Sequence, residues 1–473
     1  MSNSIHLTCI FKVHNPSAHK TAVMDHALRE YTLAYQAMLD WARDNDDLLR
    51  EQGMYRDKYN GKAIMSLLPR PNAALHTSAK DSLLVDVAGN LASYYALDGM
   101  AGATGFPVGR DPAPDAVDNA LDDFVLVGGD EADYNEARNL MLMRMRGQYM
   151  PLYFCGADGA ARNRLFSLLW NTQKRQLIAA LWLLPKGHEL TRPIGASADN
   201  LVRLDTGEVF KSNSASAILV PLEIGRNGWH EAKFLQPSRD GAGRVKAAFL
   251  VKRDAGYALH VTFEVECPDV YEPAAYLGID KGILYTAAYA LVDGTGAVLE
   301  MGHFDDDLRA LQLKHGKERE QLARNGQKIT KRHYKQKAYD NILHTLANTL
   351  IGAAQNAQAG IVVEDLNVQV RGGRVVSRFR KLDRILEYKC KLAGVPFRRV
   401  FAAYSSVICH KCGADMDRDD RSVTCGACGY AGHSDDNAAV NIARRALYRK
   451  ADWEGGYREF HRSFANVSTL TTK

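Results

Sequence analysis

Four cysteines in the C-terminal part of the chain have the spacing of a zinc ribbon. They form two CxxC pairs, Cys409–Cys412 and Cys425–Cys428, separated by twelve residues. Gly413 and Gly429 follow the pairs directly, and glycine relieves a backbone whose amides turn back toward the sulfurs. Four thiolates would complete the tetrahedral coordination of one Zn²⁺ and leave no open position, which predicts a structural ion. Two chance pairs or two disulfides are the alternative interpretation.

Two histidines lie close to these cysteines. His410 stands inside the first CxxC pair and His433 follows the second. Because four cysteines already supply a full ligand set, we predict that neither histidine binds the metal.

Three acidic residues stand where a carboxylate is costly or has a special role. Asp280 interrupts an apolar strand, and Glu364 ends a second short apolar strand. Asp435 precedes a helix of small residues, predicted from 437 to about 447, where an acid would ordinarily serve as the N-cap. A purely structural role explains any one of these acids, but explains all three in this order poorly.

The three acids could meet at one site. In an RNase H-like sheet the two strands are neighbours and the helix packs across them. Three carboxylates would repel one another there unless divalent cations neutralise them. Mg²⁺ prefers oxygen ligands, and two ions about 4 Å apart could activate a water and stabilise the leaving 3′ oxygen of a phosphodiester. The acids therefore predict a magnesium-dependent phosphodiester hydrolase.

The composition is that of a folded multidomain protein. The chain has 473 residues, of which 46% are hydrophobic and 24% charged, and its net charge is +5. This length suits about two to four domains. We find no apolar run of membrane-spanning length and no secretion signal, and therefore expect no membrane association. The other four cysteines are scattered, which favours a reducing, cytoplasmic setting: Cys9, Cys155, Cys267 and Cys390.

The first 270 residues predict a β-barrel interrupted by helices. Residues 1–14 alternate as a first strand, and three- and four-residue apolar spacing predicts helices within 15–150. Within that helical lobe, 99–133 is an acidic loop rich in Gly, Pro and Asp. From 151 to 270 the apolar period is close to two, as in the remaining barrel strands. The basic residues of this part fit a solvated surface as well as they fit nucleic-acid binding.

Two basic segments follow, at about 305–358 and 371–399. A helix face usually interleaves both signs of charge, so the surplus of Lys and Arg favours a phosphate-binding face over a merely solvated one. We predict nucleic-acid contacts at Lys314, Arg319, Arg324, Lys328, Lys331, Arg332, Arg374, Arg378, Arg380 and Lys381.

Taken together, these motifs resemble a known family. Gly278-Ile-Asp280-Lys-Gly282, Ile361-Val-Val-Glu364, the cysteine ribbon and Asp435-x-Asn437-Ala-Ala-x-Asn441 are similar to the split RuvC nuclease of transposon-encoded TnpB proteins and compact type V CRISPR–Cas effectors. The resemblance covers about 274–446. It implies that Asp435, rather than Asp436, is the third catalytic acid. It also implies a role near the active site for Arg421, four residues before the third cysteine.

The family layout predicts a multidomain α+β protein. The implied parts are a wedge barrel (1–14 and 151–270), a helical recognition lobe (15–150), and a RuvC-like α/β nuclease (271–404). They continue with an inserted zinc ribbon (405–432), the third RuvC motif (433–450) and a polar tail (451–473). At the level of single residues, the first 270 positions show no match to the family.

The resemblance implies RNA-guided cleavage of DNA. A guide RNA would pair with one strand of target double-stranded DNA next to a short flanking motif. The implied cofactors are two Mg²⁺ ions, held by Asp280, Glu364 and Asp435, together with one structural Zn²⁺ and the guide RNA. The protein would act in the prokaryotic cytoplasm at the nucleoid, as a monomer or homodimer.

Two rival functions stay open at this point. One is a guided binder that silences or marks DNA without cutting it. The other is an unguided zinc-ribbon DNA-binding protein that assists transposition. The sequence likewise leaves a CRISPR effector and a transposon TnpB protein as alternatives.

Overall fold

The computed structural model describes 3–56, 58–97, 106–107, 149–155, 165–192, 200–204, 206–210, 217–224, 243–253, 256–281, 287–304, 308–327, 336–365, 374–401 and 404–447. The chain divides into two compact units, His6–Val265 and Met1–Ile5 with Glu266–Lys473. The predicted acidic loop at 99–133, apart from 106–107, and the predicted tail at 451–473 lie outside the described residues.

The unit His6–Val265 starts with one strand followed by helices that each bury one apolar face. Helix α1 begins after Ser17, whose side chain accepts a hydrogen bond from the Lys20 amide. Its apolar residues recur at three- and four-residue spacing, and Met24, Leu28 and Tyr31 are fully buried. The first elements are β1 (Ser4–Lys12), α1 (Ala18–Asp44), α2 (Asp46–Gln52), β2 (Met54–Tyr55), β3 (Lys58–Tyr59), α3 (Gly61–Leu67) and α4 (Thr77–Leu97).

Strands make up the rest of this unit. They are β4 (Leu152–Phe154), β5 (Phe166–Asn171), β6 (Gln176–Trp182), β7 (Leu201–Arg203), β8 (Ala217–Leu222), β9 (Gly243–Arg253) and β10 (Gly256–Glu266). Within the described ranges they form two four-stranded sheets, in the orders β1-β10-β9-β4 and β7-β5-β6-β8. A single bridge joins Val13 to Leu222. The described strands lie in the segments where the period of two predicts strands, while closure into one barrel stays a prediction.

The second unit contains a mixed sheet between helices. Its elements before the cysteine ribbon are β11 (Ala275–Asp280), β12 (Ala287–Asp293), β13 (Val298–Phe304), α5 (Leu308–Arg324), α6 (Gln336–Asn356), β14 (Ala359–Asp365), α7 (Arg374–Ala393) and β15 (Phe397–Phe401). The sheet order is β13-β12-β11-β14-β15 in the part that the structure describes. Strand β12 is antiparallel to both of its neighbours, β11 and β13, whereas β14 is parallel to both β11 and β15.

The ribbon and the last helix complete this unit. They are β16 (Asp417–Asp419), β17 (Ser422–Thr424), β18 (Ala431–His433) and α8 (Ser434–Arg445). Helix α8 starts three residues earlier than the sequence predicts, so Asp435 lies in its first turn rather than at its N-cap. The N-cap is His433, whose ring accepts a hydrogen bond from the Asp435 amide.

The two faces of the mixed sheet pack against different helices. Leu277 and Ile279 of β11 belong to a core formed with α6 and α7. On the opposite face, residues of β12 and β14 pack against α8 through Ala439, Ala443 and Ile442. Because side chains alternate along a strand, Gly278 and Asp280 point to the α8 face. The sheet therefore brings Asp280 to the side on which α8 carries Asp435.

Candidate metal centres and acidic site

The four ribbon cysteines form a metal-binding cluster. Their sulfur atoms all lie within 4.8 Å of one another. All four are free cysteines, so the disulfide interpretation is wrong; the Cys409–Cys428 and Cys412–Cys425 sulfur pairs are 3.6 and 3.3 Å apart. Four sulfurs at about 2.3 Å from one tetrahedral Zn²⁺ would be about 3.8 Å apart, close to these distances.

Both knuckles turn at the glycines that the sequence singles out. Gly413 and Gly429 have φ angles of 71° and 74°, in the left-handed region that favours glycine. Their amides donate hydrogen bonds to the carbonyls of Cys409 and Cys425, each at 2.9 Å. Burial raises the pKa of the Cys409 thiol to about 12, so a cation is needed to hold it as a thiolate. The donor set fits a structural Zn²⁺.

Helix α8 crosses strand β11 at Gly278, where the two backbones are in close contact. A Cβ atom at Gly278 would lie 2.5 Å from the backbone nitrogen of Ala443 and 2.7 Å from its Cβ, and would also overlap the carbonyl oxygen of Ala439. Only glycine fits this crossing, which is why the apolar strand carries glycine two residues before the acid. Asp280 follows on the same face, toward the N-terminal end of α8.

The parallel ladder brings Glu364 beside Asp280. Ile279 pairs with Val363, so the next residues along the two strands are the two acids. Glu364 is 7% exposed, and its carboxylate accepts a hydrogen bond from the hydroxyl of Ser405. Burial raises the pKa of Glu364, while the Ser405 hydrogen bond opposes that shift.

Asp435 completes the group from the first turn of α8. It is 8% exposed, and its Oδ2 accepts a hydrogen bond from Arg421 Nη1 at 3.0 Å. Arg421 also accepts the Ser434 amide through its carbonyl oxygen, so it holds both the helix start and the acid. A carboxylate in the first turn interacts favourably with the helix dipole. Asp436 points elsewhere, and its Oδ1 lies 2.7 Å from Nε2 of His303.

Asp280 is influenced electrostatically by both of the other acids. Burial raises the pKa of Asp280 well above its usual range, and the negative charges of Glu364 and Asp435 raise it further. Among the side chains that the structure describes, only the cysteines form a set of three or more candidate ligands within 4.8 Å, so the acids are less tightly grouped than the sulfurs. Glu364 and Asp435 are buried, and their charges raise the pKa of the half-buried Asp280, so the three carboxylates nevertheless have the chemistry of a divalent-cation site.

A buried ion pair beside the acids was not predicted. Lys281 Nζ lies 2.7 and 2.8 Å from the two carboxylate oxygens of Asp383 on α7, and 3.2 Å from the carbonyl oxygen of Glu364. The side chains are 0% and 8% exposed. Lys281 thus joins β11 to β14 and α7 and contributes a positive charge that lowers the pKa of Asp280 and of Glu364. The feature of the sequence that could have indicated this ion pair is a lysine directly after the acid of an apolar strand.

The two asparagines of α8 hold the turn that precedes the ribbon. The side chains of Asn437 and Asn441 each donate to the carbonyls of Ser405 and Ile408, at 2.7 to 3.2 Å. Asn437 Oδ1 also accepts the amide of His410 at 2.9 Å. The first cysteine knuckle and the hydroxyl that contacts Glu364 are therefore fixed to the helix that carries Asp435.

The predicted nucleic-acid contacts have mixed surroundings. Lys314 and Arg380 are exposed, and Arg319 is half-buried. Arg324 pairs with Glu320 at 2.6 Å, and Lys381 pairs with Asp340 at 2.5 Å, which partly neutralises both cations. Three of the predicted residues lie outside the described ranges, namely Lys328, Lys331 and Arg332. For two more, Arg374 and Arg378, the structure describes only the helical backbone.

Comparisons with known proteins agree with the motifs. Residues 379–442 match the family model described as Cas12f1-like, TNB domain. The CRISPR-associated endodeoxyribonuclease Cas12f2 of Micrarchaeota archaeon (strain CG1_02_47_40) is 28% identical over 223 residues. That alignment covers 40% of this chain, and the chain spans only 40% of the length of this curated relative.

Solved structures resemble the chain at low identity. Alicyclobacillus acidoterrestris C2c1 in complex with single-guide RNA matches with a TM-score of 0.52 at 9% identity, over 94% of this chain and 88% of that chain. The Cas12f1-sgRNA-target DNA complex matches with a TM-score of 0.47 at 14% identity, over 93% and 99%. The first match shows a shared mixed α/β fold. The family match and the Cas12f2 alignment confirm the resemblance predicted from the motifs. No described helix is both long and apolar enough to cross a membrane.

Proposed function

We propose that this chain, a relative of the compact type V Cas effectors and TnpB-like proteins, is an RNA-guided DNA endonuclease with one RuvC-like active site. The observation that carries the proposal is the grouping of Asp280, Glu364 and Asp435 at β11, β14 and α8, where burial and the charges of the other two acids raise the pKa of Asp280. A cluster of buried carboxylates is costly without positive partners, so it is the kind of site that binds divalent cations.

The acids would hold two Mg²⁺ ions, whose chemistry is to activate a water and to stabilise the leaving 3′ oxygen of a phosphodiester. The chain's own residues orient that site. Ser405 fixes the carboxylate of Glu364, and Arg421 fixes that of Asp435 at 3.0 Å. The remaining guanidinium donors of Arg421 can bind a nonbridging phosphate oxygen of the substrate strand. Lys281 supplies a buried positive charge that the acids share.

The remaining parts would bind the nucleic acids. The Cas12f2 relative is named an endodeoxyribonuclease, and the matched C2c1 structure contains a single-guide RNA. By that likeness, the sheets of His6–Val265 would act as the wedge barrel, with α1–α4 as part of a recognition lobe that reads a short flanking motif. Exposed cations such as Lys314 and Arg380 would contact the backbone of the guide–target duplex. The protein would act in the prokaryotic cytoplasm at the nucleoid, as a monomer or homodimer.

A pair of neighbouring acids gives a matched test of the active site. We expect Asp435→Asn to abolish Mg²⁺-dependent cleavage of a guide-matched plasmid and to leave guided DNA binding intact. Asp436→Asn is the control, because Asp436 pairs with His303 instead of the other acids, and we expect it to retain cleavage. Plasmid cleavage and gel-shift binding measured on both variants check the assignment. Continued cutting by the Asp435→Asn protein would reject it.

The same preparation separates the rival functions. A single defined RNA that co-purifies with the chain supports guidance, whereas an RNA-free protein that binds DNA equally well favours the unguided transposition factor. Guided binding by the wild-type protein without Mg²⁺-dependent cutting identifies the silent binder.

A further inference from the structure

The turn Tyr404–Ile408, between β15 and the first cysteine knuckle, contains an unusual backbone conformation. Tyr404 has a φ of 65°, in the left-handed region that disfavours residues with a Cβ atom. For a bulky aromatic residue such a conformation persists only where the surrounding structure enforces it, and it occurs preferentially at functional sites.

Buried side chains enforce this conformation. Asn437 and Asn441 are 0% and 1% exposed, and both donate to the carbonyls of Ser405 and Ile408 within the turn. The carbonyl of Tyr404 accepts the amides of Val407 and Ile408 at 3.3 and 3.2 Å. Tyr404 is therefore held in position by the helix that carries Asp435.

The same turn joins the tyrosine to the acidic site. Ser405, the next residue, donates its hydroxyl to the Glu364 carboxylate, and successive Cα atoms are about 3.8 Å apart. The position of Tyr404 relative to Glu364 is therefore set by one rigid turn.

Tyr404 is nevertheless exposed to solvent. It is 46% exposed, and it belongs to a short apolar stretch in which Phe401 and Val407 are 53% and 41% exposed. A single exposed apolar residue is ordinary on a protein surface. Tyr404 is half-exposed and held in a costly conformation one residue before the serine that contacts Glu364, which favours a role at the acidic site.

We propose that Tyr404 is a stacking platform for a nucleobase of the single-stranded DNA that enters the acidic site. This inference rests on the proposed function. Stacking on an aromatic ring tolerates any base, which suits a nuclease whose sequence specificity comes from a guide. A base stacked on Tyr404 would hold the adjoining phosphate opposite Asp280, Glu364 and Asp435, and such positioning is a large part of catalysis.

The test compares ring variants with an abasic substrate. Single-stranded oligonucleotides, one intact and others with one abasic site at successive positions, are bound to the full chain as purified, without Mg²⁺. We expect Tyr404→Ala to weaken binding of the intact strand about tenfold, because loss of one base–aromatic stack has that order of effect. We expect Tyr404→Phe and Tyr404→Trp to bind like the wild type. When the abasic site replaces the base that stacks on residue 404, the wild-type protein and Tyr404→Ala should bind the oligonucleotide with equal affinity.

Two controls separate stacking from damage to the turn. Tyr404→Gly removes the ring and also removes the steric cost of the positive φ angle. We expect this variant to unfold at a temperature no lower than the wild type, and to bind the intact single strand as weakly as Tyr404→Ala. Tyr55→Ala removes an exposed aromatic side chain (59%) from the other unit and should change nothing.

The outcomes distinguish this inference from the proposed function. Equal binding by wild type, Tyr404→Ala and Tyr404→Gly overturns the stacking role while guided cleavage stands. A loss in Tyr404→Phe as large as that in Tyr404→Ala also overturns it, because the hydroxyl would then be the group that matters. A wild-type protein that neither binds single-stranded DNA nor cuts a matched plasmid overturns both.

Discussion

The ion pair of Lys281 and Asp383 could not be predicted from the sequence, whereas the acids beside it could. Asp280, Glu364 and Asp435 could be predicted because an acid in an apolar strand or at a helix start stands out from its neighbours. The role of Asp383 could not be predicted, because it lies within a basic segment, where an acid is ordinarily one partner of a surface ion pair. Only the tertiary fold brings it to Lys281, 102 residues away.

Removing the lysine should destabilise this unit strongly. Lys281→Met leaves the Asp383 carboxylate buried without its partner, which typically costs about 3–5 kcal/mol. We expect a matching drop in the free energy of unfolding measured with urea, and a partial recovery when Asp383→Leu is added.

The control is an exposed ion pair in the same unit. Arg324→Met breaks the pair with Glu320, whose side chains are 76% and 61% exposed, and should cost only about 0.3–0.5 kcal/mol. Equal stability of Lys281→Met and Arg324→Met would contradict a structural role for the buried pair.

Helix α8 is the element on which the acidic site depends most. Its small residues were visible in the sequence, but its start at Ser434 was not, because the N-cap is a histidine rather than the usual Ser, Thr, Asp or Asn. The role of its two asparagines was also hidden, since their partners are backbone carbonyls that carry no sequence signal. The crossing at Gly278 could be seen only as an unexplained glycine.

Gly278 offers a sharp test of that crossing. In Gly278→Ala the new methyl group would overlap the backbone of α8, so helix and strand must separate. Overpacking of this kind costs about 1–3 kcal/mol or more, and we expect a lower melting temperature together with weaker Mg²⁺ binding by calorimetry.

Gly360 on the neighbouring strand β14 is the matched control. The atoms nearest to a methyl group there would be side-chain carbons of Pro396, Tyr276 and Pro273, at 3.4 to 3.5 Å, which is ordinary contact. We expect Gly360→Ala to melt close to the wild type. Similar melting temperatures for the two variants would mean that α8 adapts and that the crossing is not tightly constrained.

At the scale of the whole molecule, each unit has its own core. The largest apolar cluster uses residues of His6–Val265, whereas the clusters around the mixed sheet use residues of the second unit. The order of helices and strands in the described residues was predictable because the apolar period changes along the chain. The arrangement of β1 and β4–β10 as two four-stranded sheets was not, since strand pairing across long loops leaves little pattern in the sequence.

Because each unit has its own core, removal of zinc should loosen the unit that contains the cysteine ribbon and leave the other unit unchanged. Cys412→Ser, or treatment with a zinc chelator, should release the first knuckle from Asn437 and raise hydrogen exchange in α8 and in the turn Tyr404–Ile408. Exchange in α1 and α4 of the other unit should stay unchanged. Peptide-resolved hydrogen exchange measures both, and uniform loosening or none at all would contradict a local zinc-dependent clamp.

The three acids lie far apart along the chain, in the order Asp280, Glu364 and Asp435. Polypeptides leave the ribosome N-terminus first, and their domains generally fold in that order. The last carboxylate, that of Asp435, is therefore made only after the other two acids and all four ribbon cysteines. Under the proposed function, a nascent chain that has not reached Asp435 carries an incomplete set of acids and cannot cut the DNA of the cell that makes it.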